Sequence, residues 1–105
     1  MKSLTPFTTS WDDGSALDAR LGSLLTHSGL RGTFYATTGP GGMRTITDEA
    51  LARLADEHEL GNHGRSHVPF THLSDDEICR ELEWGALELS RFGQPSAIVA
   101  PPLST

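Results

Sequence analysis

Two histidines four positions apart, His63 and His67, stand in the polar run Asn62-His63-Gly64-Arg65-Ser66-His67. Side chains at i and i+4 face one another on a helical turn, so both imidazoles can converge on one cation if the segment turns tightly. Neutral imidazole is the commonest protein ligand for a metal. The same pair also suits a solvated loop, and a third ligand decides between the two readings. Far upstream lie two adjacent carboxylates, Asp12 and Asp13, directly before Gly14. Alone, such a pair marks a turn or a helix start.

The elements around these residues determine whether they can meet. A run of β-formers predicts a strand from about Thr5 to Trp11, stopped by Asp12-Asp13-Gly14. Ser15 then reads as a helix start with Asp18 as its capping-box carboxylate, and Leu17, Leu21, Leu24 and Leu25 recur at helical spacing as far as Ser28-Gly29. Gly32 to Thr37 is a second strand, followed by the loop Gly39-Pro40-Gly41-Gly42. Thr47 caps a second helix, with Asp48 and Glu49 in its first turn and Leu51, Leu54 and Ala55 facing inward. Glu59 to Asn62 falls where a third strand is due. Ser74 and Glu77 form a capping box for a third helix whose inner positions are Ile78, Leu82, Ala86 and Leu89, and it ends at Phe92-Gly93 with Pro95 beyond. Ala97 to Ala100 is a fourth strand, closed by Pro101-Pro102. The order βαβαβαβ predicts an α/β fold with parallel strands and right-handed crossovers, either an open sheet or part of a barrel.

In such folds the functional groups gather at the carboxyl ends of the strands. Asp12-Asp13 follow the first strand, His63 follows the third and Pro101-Pro102 follow the fourth, so all three groups belong to one rim. A cation held there by Asp13, His63 and His67 has nitrogen and oxygen ligands and an open position, the pattern of a catalytic rather than a structural zinc site. Such a cation acidifies water and polarises a carbonyl. Asp12 is then free to act as general base, and Trp11 beside it can line the pocket.

Composition narrows the class. A chain of 105 residues is one small domain or part of one, with a net charge of −6 and its eight Lys and Arg scattered, against a nucleic-acid partner. No apolar run reaches the roughly 18 residues of a membrane span. The first residues lack the apolar core of a secretory signal, which makes a cytoplasmic location the expectation. The single cysteine, Cys79, lies in a helical pattern and reads as a small buried or half-buried apolar residue. His27, His58 and His72 read as surface residues at helix ends and in a loop, and Trp84 and Phe92 as core or interface.

Taken together, Thr9-Ser10-Trp11-Asp12-Asp13-Gly14 and His63-Gly64-Arg65-Ser66-His67 resemble the first two motifs of the polysaccharide deacetylases, the chitin-oligosaccharide and peptidoglycan N-deacetylases that share the NodB homology domain. Gly32-Thr33-Phe34-Tyr35, Leu60-Gly61-Asn62 and Leu73-Ser74-Asp75-Asp76-Glu77-Ile78 sit where that family has similar runs. The resemblance implies that residues 1–105 are the N-terminal part of a distorted seven-stranded (β/α) barrel. It assigns Asp13, His63 and His67 to a divalent metal, zinc or in some members cobalt, nickel or manganese, and Asp12 to the role of base in removing an acetyl group from an N-acetylated sugar or related amide.

Three departures accompany it. Gly64 stands where the family has Ser or Thr, with Ser66 as the residue able to compensate behind the histidines. Ala100-Pro101-Pro102-Leu103 stands for a motif that begins with arginine, so the arginine that orients the catalytic aspartate is absent and the backbone N–H of Leu103 is left to serve the oxyanion. The family's later motifs, including its general-acid histidine, have no counterpart by Thr105. Two readings follow: a metal-dependent carbohydrate N-deacetylase, or a catalytically inactive half-barrel of the same family that binds metal, a second copy of itself or a complementary fragment.

Overall fold

The computed structural model describes residues 9–37, 44–93 and 98–102. Three parallel strands, β1 (Thr9–Trp11), β2 (Gly32–Ala36) and β3 (Glu59–Asn62), form a sheet in sequential order. Helix α1 (Asp18–His27) links the first two strands and α2 (Asp48–Glu57) the next two, while α3 (Asp75–Leu89) follows β3. The parallel α/β arrangement expected from the order of elements is the one observed. Trp11 pairs with Phe34 and Ala36 with Asn62, so the chain leaves β1 and β3 at the same edge of the sheet. That register carries Asp12-Asp13 and His63 to one rim.

A fourth extended segment flanks β3, although it is shorter than the expected strand. Asn62 bridges to Val99 in parallel, donating its N–H to Ile98 O at 3.0 Å and accepting from Ala100 N at 3.0 Å. Ala97, the Gly39–Gly42 loop and the start of the first expected strand lie outside the described residues, as does Leu103.

Side chains alternate along β2: Gly32, Phe34 and Ala36 are buried, Thr33 and Tyr35 half-buried. Phe34 and Leu60, neighbours across the β2–β3 ladder, join Leu25, Leu51, Leu54 and Leu89 in one apolar core under the helices. The start of α2 matches expectation, since Thr47 Oγ1 accepts from Ala50 N at 3.1 Å. The capping box of α3 is complete: Glu77 N donates to Ser74 Oγ at 3.2 Å and Ser74 N to Glu77 Oε1 at 3.0 Å.

Several expectations are corrected. Helix α1 begins at Asp18 without a side-chain cap: Ser15 Oγ accepts from Leu17 N instead, so of the expected Ser15–Asp18 box only the half in which the Asp18 carboxyl accepts from Ser15 N–H is present. Of its leucines, Leu25 is buried while Leu17 and Leu24 are 72% and 56% exposed, because only one edge of the helix touches α2 and the sheet. The buried line of α3 is Glu81, Gly85 and Leu89, with Ile78, Leu82 and Ala86 half-buried beside it. Cys79 is exposed, Trp84 at 44% exposure is no core residue, and His58 is buried at 3% exposure. His58 lies under α1, where its Nδ1 accepts from Gly32 N at 3.0 Å and its Nε2 stands 2.9 Å from Gly22 O. A backbone N–H can only donate and a carbonyl only accept, so the imidazole is held as the neutral Nε2–H tautomer. His58 closes backbone groups of α1 and β2 that periodicity alone left open.

Candidate metal centre

Asp13 leaves β1 in a left-handed turn, with φ of 80° at Asp13 and 68° at Gly14. His63 follows β3 directly, Gly64 has φ of 82°, and His67 closes the loop with φ of 56°. A left-handed backbone costs a residue other than glycine about 1–2 kcal/mol. Asp13 and His67 are the described non-glycine residues with positive φ. Strain at both, fifty-four positions apart in the chain, concentrates on one spot.

There the side chains meet. His63 Nε2 lies 3.0 Å and His67 Nε2 2.9 Å from the same oxygen, Asp13 Oδ1. One ligand atom from each residue lies within 4.8 Å of the others. His63 is 2% exposed and the Asp13 side chain 44%, so the cluster is anchored on the protein side and open toward solvent. The other ring nitrogen of His63, Nδ1, is 2.7 Å from Ala100 O. A carbonyl only accepts, so Nδ1 carries a proton, and in the neutral imidazole it is Nε2 that turns its lone pair toward the carboxylate. Two lone pairs face each other there unless a proton or a metal ion lies between them. Two imidazoles and one carboxylate, with one imidazole oriented from behind by a carbonyl, match the donor chemistry of an open zinc-type site.

A family model for polysaccharide deacetylases matches residues 6–105. The chain belongs to the polysaccharide deacetylase family. Among solved structures, this deacetylase-family chain is similar to a family 4 carbohydrate esterase from Bacillus anthracis, with 27% identity and a TM-score of 0.77 over 90% of this chain and 47% of that one. It is also similar to the peptidoglycan deacetylase PdaC from Bacillus subtilis, with 28% identity and a TM-score of 0.71 over 90% and 48% of the two chains. A mutant of a CE4 family pseudoenzyme with restored enzymatic activity shares the fold at 21% identity, with a TM-score of 0.77 over 93% and 37%. The chain spans about half the length of most of these solved relatives, as the N-terminal part of a (β/α) barrel. Curated proteins offer no sequence match.

The remaining expected site residues are placed as follows. Asp12 is exposed beside Asp13 and makes no hydrogen bond among the described residues. Trp11 is 38% exposed at the end of β1. Ser66 points back toward α3, its N–H donating to Glu81 Oε1 at 3.1 Å and its hydroxyl to Glu81 Oε2 at 3.3 Å. Leu103 lies outside the described residues. Burial pushes the Asp18 carboxyl above the usual carboxylate range, opposed by a hydrogen bond from Ser15 N–H and reinforced by the charges of Asp13 and Asp12. Negative charge therefore accumulates at this rim, which favours a cation.

Sequence reasoning missed the supports. Asn62 Oδ1 accepts from Gly64 N at 2.9 Å, and its Nδ2 donates to Leu82 O at 2.8 Å. The Ala100 carbonyl and the buried Glu81 were equally unforeseen. Glu81 broke the apolar pattern of the third helix, the one signal that a polar partner lay opposite. A cavity of about 550 Å³ between α1 and α2 is lined by residues such as Gly22, Arg53, Leu54 and His58 and includes no member of the Asp/His cluster. Among the described residues, no helix is long and apolar enough to cross a membrane.

Proposed function

We propose that this chain carries the metal-binding half of a hydrolase that removes acetyl groups from N-acetylated carbohydrate by breaking the amide C–N bond. The observation that supports it is the convergence of Asp13, His63 and His67 on one point, with His63 oriented by Ala100 O. In this reading those three residues hold a divalent cation, zinc being the best match to a mixed nitrogen and oxygen donor set, with cobalt, nickel or manganese able to replace it. A cation bound there supplies Lewis-acid polarisation of the acyl oxygen and acidifies water. Asp12, exposed and unpaired among the described residues, takes the proton of the attacking water as general base. Trp11, at the same strand end, lines the sugar site. The backbone N–H of Leu103 donates to the developing oxyanion, a role that needs no particular side chain. Ser66 supports His67 from behind.

Acetate release from N-acetylglucosamine oligomers tests the proposal. The protein is expected to release acetate, to lose that activity on chelation, to regain it with zinc, and to lose at least about a hundredfold in rate on Asp12→Asn, the usual scale of a general base. Zinc binding with no acetate from any N-acetylated oligomer favours the second reading, a non-catalytic half-barrel that binds metal or a partner chain. The observation on that side is Ala100, whose side chain cannot orient Asp12 as an arginine would. Ala100→Arg separates the two, since it raises acetate release only where the rest of the machinery is in place.

A further inference from the structure

Helix α3 touches the histidine loop at two successive residues. At Leu82 its carbonyl accepts from Asn62, whose other amide atom holds Gly64 N. At Glu81 a carboxylate only 7% exposed spends both oxygens on Ser66. Burying a carboxylate is costly unless its oxygens are hydrogen-bonded, so this contact is specific rather than incidental.

The two contacts serve different ends of the loop. His63 is already fixed without α3, since Asn62 pairs with Ile98 and Ala100, and Ala100 O orients the imidazole. Among the described residues, His67 has no such contact behind its ring. It sits at φ of 56°, a conformation that its own backbone disfavours. Gly64, at φ of 82°, brings flexibility and no side chain that could brace the turn. The residue immediately before His67 is Ser66, whose N–H and hydroxyl both donate to Glu81.

We propose that Glu81 is a positioning residue for His67: by gripping both the N–H and the hydroxyl of Ser66, it holds His67 in its left-handed conformation and so aims Nε2 at Asp13 Oδ1. The proposal rests on the metal-binding reading above and extends it to a residue that touches neither metal nor substrate. Supports of this kind are worth about 10- to 100-fold in metal affinity.

Cobalt serves as the probe, because its visible absorption reports ligand geometry. The purified protein is titrated with Co²⁺ in its native form and as Glu81→Gln, Glu81→Asp and Glu81→Leu, and each variant is melted in chelator. Glu81→Gln keeps an acceptor for Ser66 N and a group that can bond the hydroxyl, and is expected to bind cobalt close to the native affinity with an unchanged spectrum. Glu81→Leu is expected to bind about 10- to 100-fold more weakly with an altered spectrum, beyond any change in melting temperature. If Glu81→Leu fails to fold, Glu81→Asp decides, since its carboxylate falls a methylene short of Ser66 and is expected to weaken binding while Glu81→Gln does not. A lower melting temperature with native cobalt affinity and spectrum in the folded Leu or Asp variant overturns the proposal and leaves the metal reading intact. Failure of the native protein itself to bind cobalt overturns both.

Discussion

Gly85 shows how narrow the tolerance is around the histidine loop. A Cβ built there would land on the side-chain amide of Asn62, the group that ties Gly64 N to Leu82 O. Gly85→Ala therefore has to displace Asn62, and overpacking of this kind costs about 1–3 kcal/mol. Urea denaturation is expected to show that loss together with weaker metal binding, whereas a stable protein with unchanged binding would mean that Asn62 can move aside freely. Asp18 offers a second check at this scale. Its folded-state pKa is raised by burial, so the fold resists its ionisation. Below the unfolded value Asp18 is neutral in both states and affects nothing; as pH rises through the interval up to the folded value stability falls, and above both a constant penalty remains. Asp18→Asn keeps an oxygen for Ser15 N–H and removes the charge. It is expected to raise the melting temperature of the metal-free protein at pH 7, with the gain vanishing as the pH is lowered through the carboxylate range.

Among the elements, α3 is the one whose role was hardest to foresee. Its ends were legible: Ser74 and Glu77 form the expected reciprocal cap, and Ser74→Ala is expected to cost about 1 kcal/mol in a urea titration. Its facing was not. Apolar periodicity pointed Ile78, Leu82 and Ala86 inward, yet the buried line runs through Glu81 and Gly85, because the surface that α3 meets is the polar Asn62–Ser66 segment rather than more core. A helix packed on a site carries polar and small residues where one packed on a core carries leucine. For α1 the difference is at its start. Ser15 and Asp18 have capping-box spacing, but the chain between them is still turning away from the Asp12-Asp13 corner, with Asp18 N bonded to Ser15 O at 2.9 Å, and the helix begins at Asp18 itself.

At the scale of the molecule, the chain spans about half of most of its solved relatives and leaves several large apolar side chains open, among them Leu17, Leu87, Trp84 and Val99. Val99 lies on the segment bordering β3, where a sheet can accept a further strand. The 105-residue chain studied by itself is expected to sediment above its 11.3 kDa monomer mass at micromolar concentration, through a second copy covering that face. A monodisperse monomer in sedimentation velocity would show that this apolar surface is tolerated in water.

Alternation, capping signals and glycine breaks are local properties, and they determined the order of elements and the parallel α/β class, while the Thr9–Gly14 and His63–His67 motifs carried the resemblance that the family match bears out. The spacing of Asp12-Asp13 and His63-His67 against that order was enough to name the residues of one rim. What only the tertiary structure decided is how they are held there: the 2.7 Å contact that sets the His63 tautomer, the left-handed backbones at Asp13 and His67, and the grip of Glu81 on Ser66. Each depends on a partner fifteen or more positions away or on a backbone angle that no residue type dictates. Local chemistry supplies the ligand atoms, and long-range packing alone brings them within reach of one another.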